Sequence, residues 1–290
     1  MATSATVPQP GQSEADVLTE RARAWQARPL LREIYHRYFA QICEHLAEAN
    51  PPPAHQGGPR WVGRVLELGG GSGNFREYFR AQTTAHHLAG ELIASDIVPT
   101  PHVDLAADAL QLPFPDGSLD NLVMQDVLHH LPYPLAFFQE ARRVLRPGGR
   151  IVMMEPYISP ASRLVFKLAH PEPVIMSAQI FGPETGPDST GTHDPLVFSG
   201  EGAFASNQAI PTLLFYRDRH RFETRFPDLA ILVRQRLSCL VYPLSGGFSG
   251  PCLLPRPTWP LAWGVERCLT PLAGLLGFRL LVVVEKQAER

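Results

Sequence analysis

Residues 65–75, VLELGGGSGNF, run an apolar stretch with one acid straight into a bend carrying four glycines, three of them at alternate positions. A strand that ends in such a bend brings bare main chain to its tip, where amides can meet a ligand with no Cβ between them. The helix expected from Asn74 onward adds the positive end of its dipole, which suits a carboxylate or other anionic group. Strand, glycine turn and helix make up the first half of a βαβ unit, so the chain is directed toward a parallel sheet before anything else is read.

The surrounding sequence follows that direction. WVGRVLEL reads as a strand and NFREYFRAQ as the helix behind it. LIASDI and VDLAAD read as the second and third strands, and LDNLVMQDV as the fourth. PLAFFQEARRVLR is an amphipathic helix stopped by the turn PGG, and RIVMMEP is a fifth strand. IPTLLFYRDRHRFETRF is helical, LAILVRQRLSCLVYPL a sixth strand with room for a bulge, LAWGVERCLTPLAGLLG an apolar helix, and FRLLVVVE a last strand. Apolar strands alternating with helices imply a mainly parallel sheet covered on both faces, an α/β fold.

The ends and the middle read differently. Residues 1–21, rich in Ser, Pro, Gln and Ala, are expected to form a disordered tail. Residues 22–50 carry Leu31, Ile34, Tyr35, Tyr38, Phe39, Ile42 and Leu46 at helical spacing, as an N-terminal helical cap. A Pro/Gly linker then leads to the α/β domain, residues 60–290. Within it, 157–208 is expected to be a substrate-side lid insertion, because its turn-rich centre FGPETGPDSTGTHDP is long for a plain connection. His193 in that segment reads as a solvated loop histidine.

A formal net charge of −2 gives no general reason to bind nucleic acid. The most membrane-like run, LTPLAGLLGFRLLVVVEK, is interrupted by Pro271, Arg279 and glycines, so a helix followed by a strand is expected rather than a span. The N-terminus lacks the pattern of a secretory signal, and a cytoplasmic location is expected. Cys43, Cys239, Cys252 and Cys268 lack zinc-ligand spacing and read as reduced, mostly buried thiols.

The glycine turn fits neither common nucleotide signature. A dinucleotide fingerprint needs a third glycine where Asn74 stands in one register and Arg76 in the other, and no Gly-Lys-Ser/Thr follows for a phosphate loop. What remains is Glu67, Gly69, Gly71 and Gly73 in the pattern E-x-G-x-G-x-G, followed by LIASDI, AADALQLPFPDGSLDNLVMQDVLHHL and ARRVLRPGGRIVMMEP. In these segments the chain resembles the class I S-adenosylmethionine-dependent methyltransferases, in their small-molecule (methyltransferase type 11-like) branch. The resemblance is strong over about residues 60–156. It implies a Rossmann-like class I methyltransferase fold with a seven-stranded sheet, and S-adenosylmethionine as cofactor, released as S-adenosylhomocysteine. It also implies a small-molecule methyl acceptor, which the Phe, Leu, Met and Pro content of the N-terminal helix and the 157–208 segment suggests is partly apolar; neither nucleic acid nor a membrane span is expected. On that resemblance Glu67, Gly69, Gly71 and Gly73 pass under the amino acid part of the cofactor. Asp96, beside Ile97, accepts from both ribose hydroxyls. Asp108 receives the adenine amino group, with Ala109 beside the ring, and Gln125 touches the cofactor at the end of strand four.

Methyl transfer from a sulfonium asks the protein to align the acceptor and exclude water, and an oxygen acceptor usually also needs a base. His130 is the first candidate for base or acceptor-orienting group, His129 the second, and Tyr157 a third at the rim after strand five; an imidazole is suited to proton removal near neutral pH. Glu155 is expected to take backbone amides of the following turn. Oxygen is favoured over nitrogen or carbon as acceptor atom. A nicotinamide oxidoreductase, disfavoured by Asn74 and the Asp108 segment, and a cofactor-binding partner subunit without catalysis stand as alternatives.

Overall fold

Seven strands form one sheet: β1 (Arg60–Leu68), β2 (Leu88–Asp96), β3 (Leu105–Ala106), β4 (Leu119–Gln125), β5 (Leu145–Pro156), β6 (Leu229–Leu237) and β7 (Arg279–Lys286). Their order is β3-β2-β1-β4-β5-β7-β6. The first five are parallel, and β7 lies antiparallel between β5 and β6. The computed structural model describes residues 14–52, 55–169, 172–182 and 206–288. The mainly parallel α/β sheet agrees with the sequence reading, and the antiparallel β7 completes it.

Side-chain alternation along the central strands builds two cores, one on each face. Leu122 and Met124 on β4, Ile151 and Met153 on β5, and Leu280, Val282 and Val284 on β7 face one way. There they meet α4 (Pro134–Val144), α5 (Pro160–Ala169), α6 (Ile210–Thr212) and α7 (Arg219–Arg225). Phe138 is the hub of that side, with the rings of Phe215, Phe222 and Phe226 around it. Val123, Val152, Met154, Leu281 and Val283 face the other way. They pack with α2 (Pro29–His45), α3 (Asn74–Thr84), α8 (Val241–Ser245) and α9 (Trp259–Leu269). Asn121, fully buried in β4, ties the chain after α2 to the sheet: its side chain donates to Ala47 O and Val62 O and accepts from Ala47 N.

Several elements differ from the sequence reading, each for a local reason. The N-terminal helix divides into α1 (Glu14–Ala27) and α2, because Pro29 cannot donate to a continuing helix and starts the second one. The tail expected over 1–21 thus reaches into α1, while residues 1–13 lie outside the described residues. The sixth strand stops at Leu237, where Ser238 adopts φ +64°, and the remainder of that apolar run becomes α8. The late apolar helix is interrupted around Pro271 by a tight turn before α10 (Ala273–Leu276). Between α6 and α7 the helix widens into a π turn, Leu213–Arg217. Only two of the four thiols, Cys43 and Cys239, are buried, whereas Cys252 and Cys268 are exposed. Among the described residues no helix is long and apolar enough to cross a membrane. Most of the turn-rich segment around His193 lies outside the described residues.

Candidate active site

The strand order reverses direction at β1, which has β2 on one side and β4 on the other. Open α/β sheets bind ligands outside the carboxyl ends of strands at that switch, and a crevice of about 570 Å³ lies there. Its wall includes Glu67, Gly69, Asp96, Ile97, Asp108, Ala109 and Gln125, the residues expected to hold a cofactor. Gly71 and Gly73 do not line it; they shape the turn beneath. Gly71 N donates to Asp96 Oδ2 at 2.9 Å, and Gly73, at φ +71°, is the N-cap of α3. Gly69 has φ +74°, and a Cβ there would stand 2.3 Å from Val127 Cγ2. No larger residue fits that bend with the wall of the crevice in place.

The crevice is rich in acids that differ in charge state. Burial pushes the Glu67 carboxyl up to about 8. Burial also raises Asp96, although the amides of Val98 and Gly71 oppose the shift. Asp126, next in the chain after Gln125, behaves oppositely. Burial works against its ionisation, but the Arg279 guanidinium, 2.5 Å away, and the Tyr35 hydroxyl hold its carboxyl below the usual range. Asp126 also sits at φ +57°, an uncommon backbone for a residue other than glycine, which aims it from the β4 end into the crevice. Two buried acceptors on the wall, Glu67 Oε2 and Gln125 Oε1, have no hydrogen-bond partner among the described residues. A ligand presenting N–H or O–H donors, or a cation, would satisfy them. S-adenosylmethionine, with its ammonium and hydroxyl groups, fits this donor requirement and the open glycine bend.

Of the three catalytic candidates, only His130 lines the crevice, half-buried on the turn after β4. His129 is buried behind it, its Nδ1 2.7 Å from Glu155 Oε2 and its Nε2 3.4 Å from Glu172 Oε2. Burial works against the imidazolium, but hydrogen bonds and charge from the two carboxylates carry the His129 pKa up to about 9. With a carboxylate facing each ring nitrogen and no place on the crevice wall, His129 cannot reach an acceptor there, which corrects the expectation for it. Tyr157 is likewise turned away from the crevice. It is buried against Tyr216, ring centroids 5.3 Å apart, with Arg236 over its face. Glu155 accepts from Val127 N and Leu128 N at 2.8 and 2.9 Å, a backbone role as expected, but toward the turn after β4 rather than the turn that follows Glu155 itself.

Sequence reasoning named no role for Asp126, Arg21 or Phe248, all of which line the crevice; Tyr35 and Phe39, on the helix read as a cap over the strand ends, line it as well. An acid directly after Gln125 was the available signal for Asp126. Nothing local marks Phe248, which arrives from a loop far along the chain to pack edge-on against Tyr35.

A family model described as "Methyltransferase domain" matches residues 66–153, the span from β1 through most of β5. Among similar proteins, the 27-O-demethylrifamycin SV methyltransferase of Amycolatopsis mediterranei (strain S699) is 42% identical over 19% of this chain and 20% of its own length. The ubiquinone/menaquinone biosynthesis C-methyltransferase UbiE of Cupriavidus pinatubonensis is 28% identical over 41% of this chain and 50% of its own. The chain thus spans from 20% to 50% of the length of these two curated relatives. A solved geranyl diphosphate C-methyltransferase from Streptomyces coelicolor A3(2) superposes with a TM-score of 0.47 at 12% identity, over 87% of this chain and 78% of that one.

Proposed function

We propose that this chain, whose residues 66–153 match a methyltransferase-domain model, uses S-adenosylmethionine to methylate a small, partly apolar molecule, with oxygen as the acceptor atom. The observation carrying this reading is the crevice itself. Glycine backbone and unpartnered buried acceptors line one part of it, and an imidazole with aromatic rings lines another. When bound, S-adenosylmethionine supplies an electrophilic methyl group on sulfur. Glu67, Gln125, Asp96 and Asp108 are the residues we assign to hold it, with Gly69, Gly71 and Gly73 leaving room along the turn and Ile97 and Ala109 giving apolar contact. Tyr35, Phe39 and Phe248 exclude water and give an acceptor an apolar surface. His130 orients the acceptor and takes up the proton that an attacking hydroxyl must lose. A carbon acceptor is the second reading, favoured by the partial likeness to a protein named as a C-methyltransferase.

Calorimetry with S-adenosylmethionine, S-adenosylhomocysteine and NAD tests the cofactor. Binding of the two adenosyl compounds is expected, and binding of NAD alone would return the chain to the oxidoreductase reading. His130→Ala should lower turnover with cofactor affinity nearly unchanged. Full turnover in that variant removes His130 from the chemistry.

A further inference from the structure

We propose that His129, His130 and Glu172 form a binding site for a divalent metal ion of the zinc class at the wall of the crevice. Each offers one ligand atom, and these atoms all lie within 4.8 Å of one another. His129 Nε2 and Glu172 Oε2 are 3.4 Å apart. Two ligands held at tetrahedral angles about 2.1 Å from zinc stand about 3.4 Å apart, so this pair needs no rearrangement to share an ion. The two imidazoles lie with ring centroids 4.2 Å apart and the His130 ligand atom within 4.8 Å of the other two, so at most a small turn of its ring brings it to the same ion. Two nitrogens and one carboxylate oxygen are a donor set of borderline softness, suited to zinc or cobalt rather than to magnesium or calcium, which take oxygens.

The groups behind these ligands hold them as metal sites require. The Nδ1 of His129 faces Glu155 Oε2 at 2.7 Å, and the other oxygen of Glu155 is fixed by Val127 N and Leu128 N. A carboxylate on the far nitrogen of a ligating histidine sets its tautomer and directs the lone pair of Nε2 toward the ion. Glu172 is gripped by the side-chain amide of Gln208, and Asn207 N donates to His129 O at 2.9 Å. Glu155, Glu172 and His129 are almost fully buried, so two carboxylates surround one imidazole away from water. A divalent ion would take the place of the proton between His129 Nε2 and Glu172, its two positive charges balancing both carboxylates. Three protein ligands leave a further coordination position, the arrangement found in catalytic rather than structural zinc sites. Because His130 lines the crevice, that position is accessible from it. What the ion does there rests on the methyl-transfer reading above. An acceptor hydroxyl bound to it would give up its proton to solvent more readily, and in the metal-loaded protein His130 would hold the ion in place of the base role it has without metal.

The test uses the full chain, stripped with a chelator and dialysed against Zn(II) or Co(II) without cofactor. One equivalent of metal is expected, with the intense visible bands of four- or five-coordinate cobalt. Glu172→Gln and His129→Ala should each weaken binding at least tenfold, and Glu155→Gln by about 10–100-fold through its hold on His129. Circular dichroism and S-adenosylhomocysteine affinity, measured on the same variants, show that the fold and the cofactor crevice persist. X-ray absorption on the zinc-loaded wild type gives a reading that no variant needs to survive. A first shell with two imidazole nitrogens is expected, and a shell of oxygens alone or one containing sulfur overturns the site. Equal metal binding by wild type and Glu172→Gln also overturns it. Because binding is measured without methyl transfer, metal bound by a protein that ignores S-adenosylmethionine would instead count against the proposed function and leave the site standing.

Discussion

Replacing Glu67 by glutamine should make the ligand-free protein more stable and a poorer cofactor binder, and both effects should depend on pH. Glu67 is 7% exposed, its Oε2 has no partner among the described residues, and burial carries its carboxyl from an ordinary 4.5 to about 8. The folded state therefore holds a proton that the unfolded chain releases. The stability tied to that proton is fully present below pH 4.5 and is lost as pH rises through 8. The loss amounts to about 3 kcal/mol at pH 7 and approaches about 5 kcal/mol above pH 9, an upper value because water in the crevice can reach the group. Glutamine keeps the shape and removes the titration. At pH 7 the Glu67→Gln protein should unfold at a temperature roughly 4–6 °C higher. Thermal or urea unfolding from pH 5 to 9 should show wild-type stability falling relative to the variant. S-adenosylmethionine is a sulfonium cation and favours the ionised carboxylate. Its affinity for wild type should consequently rise from pH 6 to 9, and the variant's should stay flat and lower by about tenfold. Parallel stability curves for the two proteins across that range would refute the reasoning, because Glu67 would then titrate alike folded and unfolded.

Other perturbations probe the same region. Asp96→Ala removes the acceptor for Gly71 N and should weaken S-adenosylmethionine binding by about 10–100-fold in calorimetry, the loss expected when a charged hydrogen-bonding group is deleted. Gly69→Ala sets a Cβ against Val127 at φ +74° and should cost about 1–3 kcal/mol in urea unfolding; a neutral result would mean the turn relaxes freely. Arg279→Met leaves the partly buried Asp126 carboxylate without its charged partner and should cost about 1–3 kcal/mol, with partial recovery when Asp126→Asn is added, measured as a double-mutant cycle. Phe138→Ala, in the core away from the crevice, should cost about 3–5 kcal/mol while leaving cofactor affinity unchanged in the folded fraction.

How much of this was legible in the chain depends on the distance over which each feature is decided. Strand–turn–helix at 60–84 is local: alternating apolar residues, glycines where φ is positive, and an amphipathic helix read the same in sequence and in space. The late apolar runs were less legible, because a stretch such as LSCLVYPL suits strand or helix equally. Ser238 and the packing of Val241 against the sheet face decided between them. Helix interruptions at Pro29 and Pro271 were visible as prolines, but what followed each one depended on which face could be buried.

By itself the sequence determined a mainly parallel α/β sheet with an open glycine bend, and its resemblance to a methyltransferase family implied that Glu67, Asp96 and Asp108 serve one ligand. Those residues sit at strand ends and in a turn whose geometry the backbone imposes within a few positions. Only the tertiary structure separated His130 from His129, because one ring faces the crevice and its neighbour is enclosed by Glu155 and Glu172 from β5 and the segment beyond it. It alone joined Tyr35, Asp126 and Arg279, which come from the first helices, the middle of the sheet and the last strand. The physical reason is that charge and burial are summed over everything that packs nearby, and packing partners distant in the chain leave no periodic trace in it.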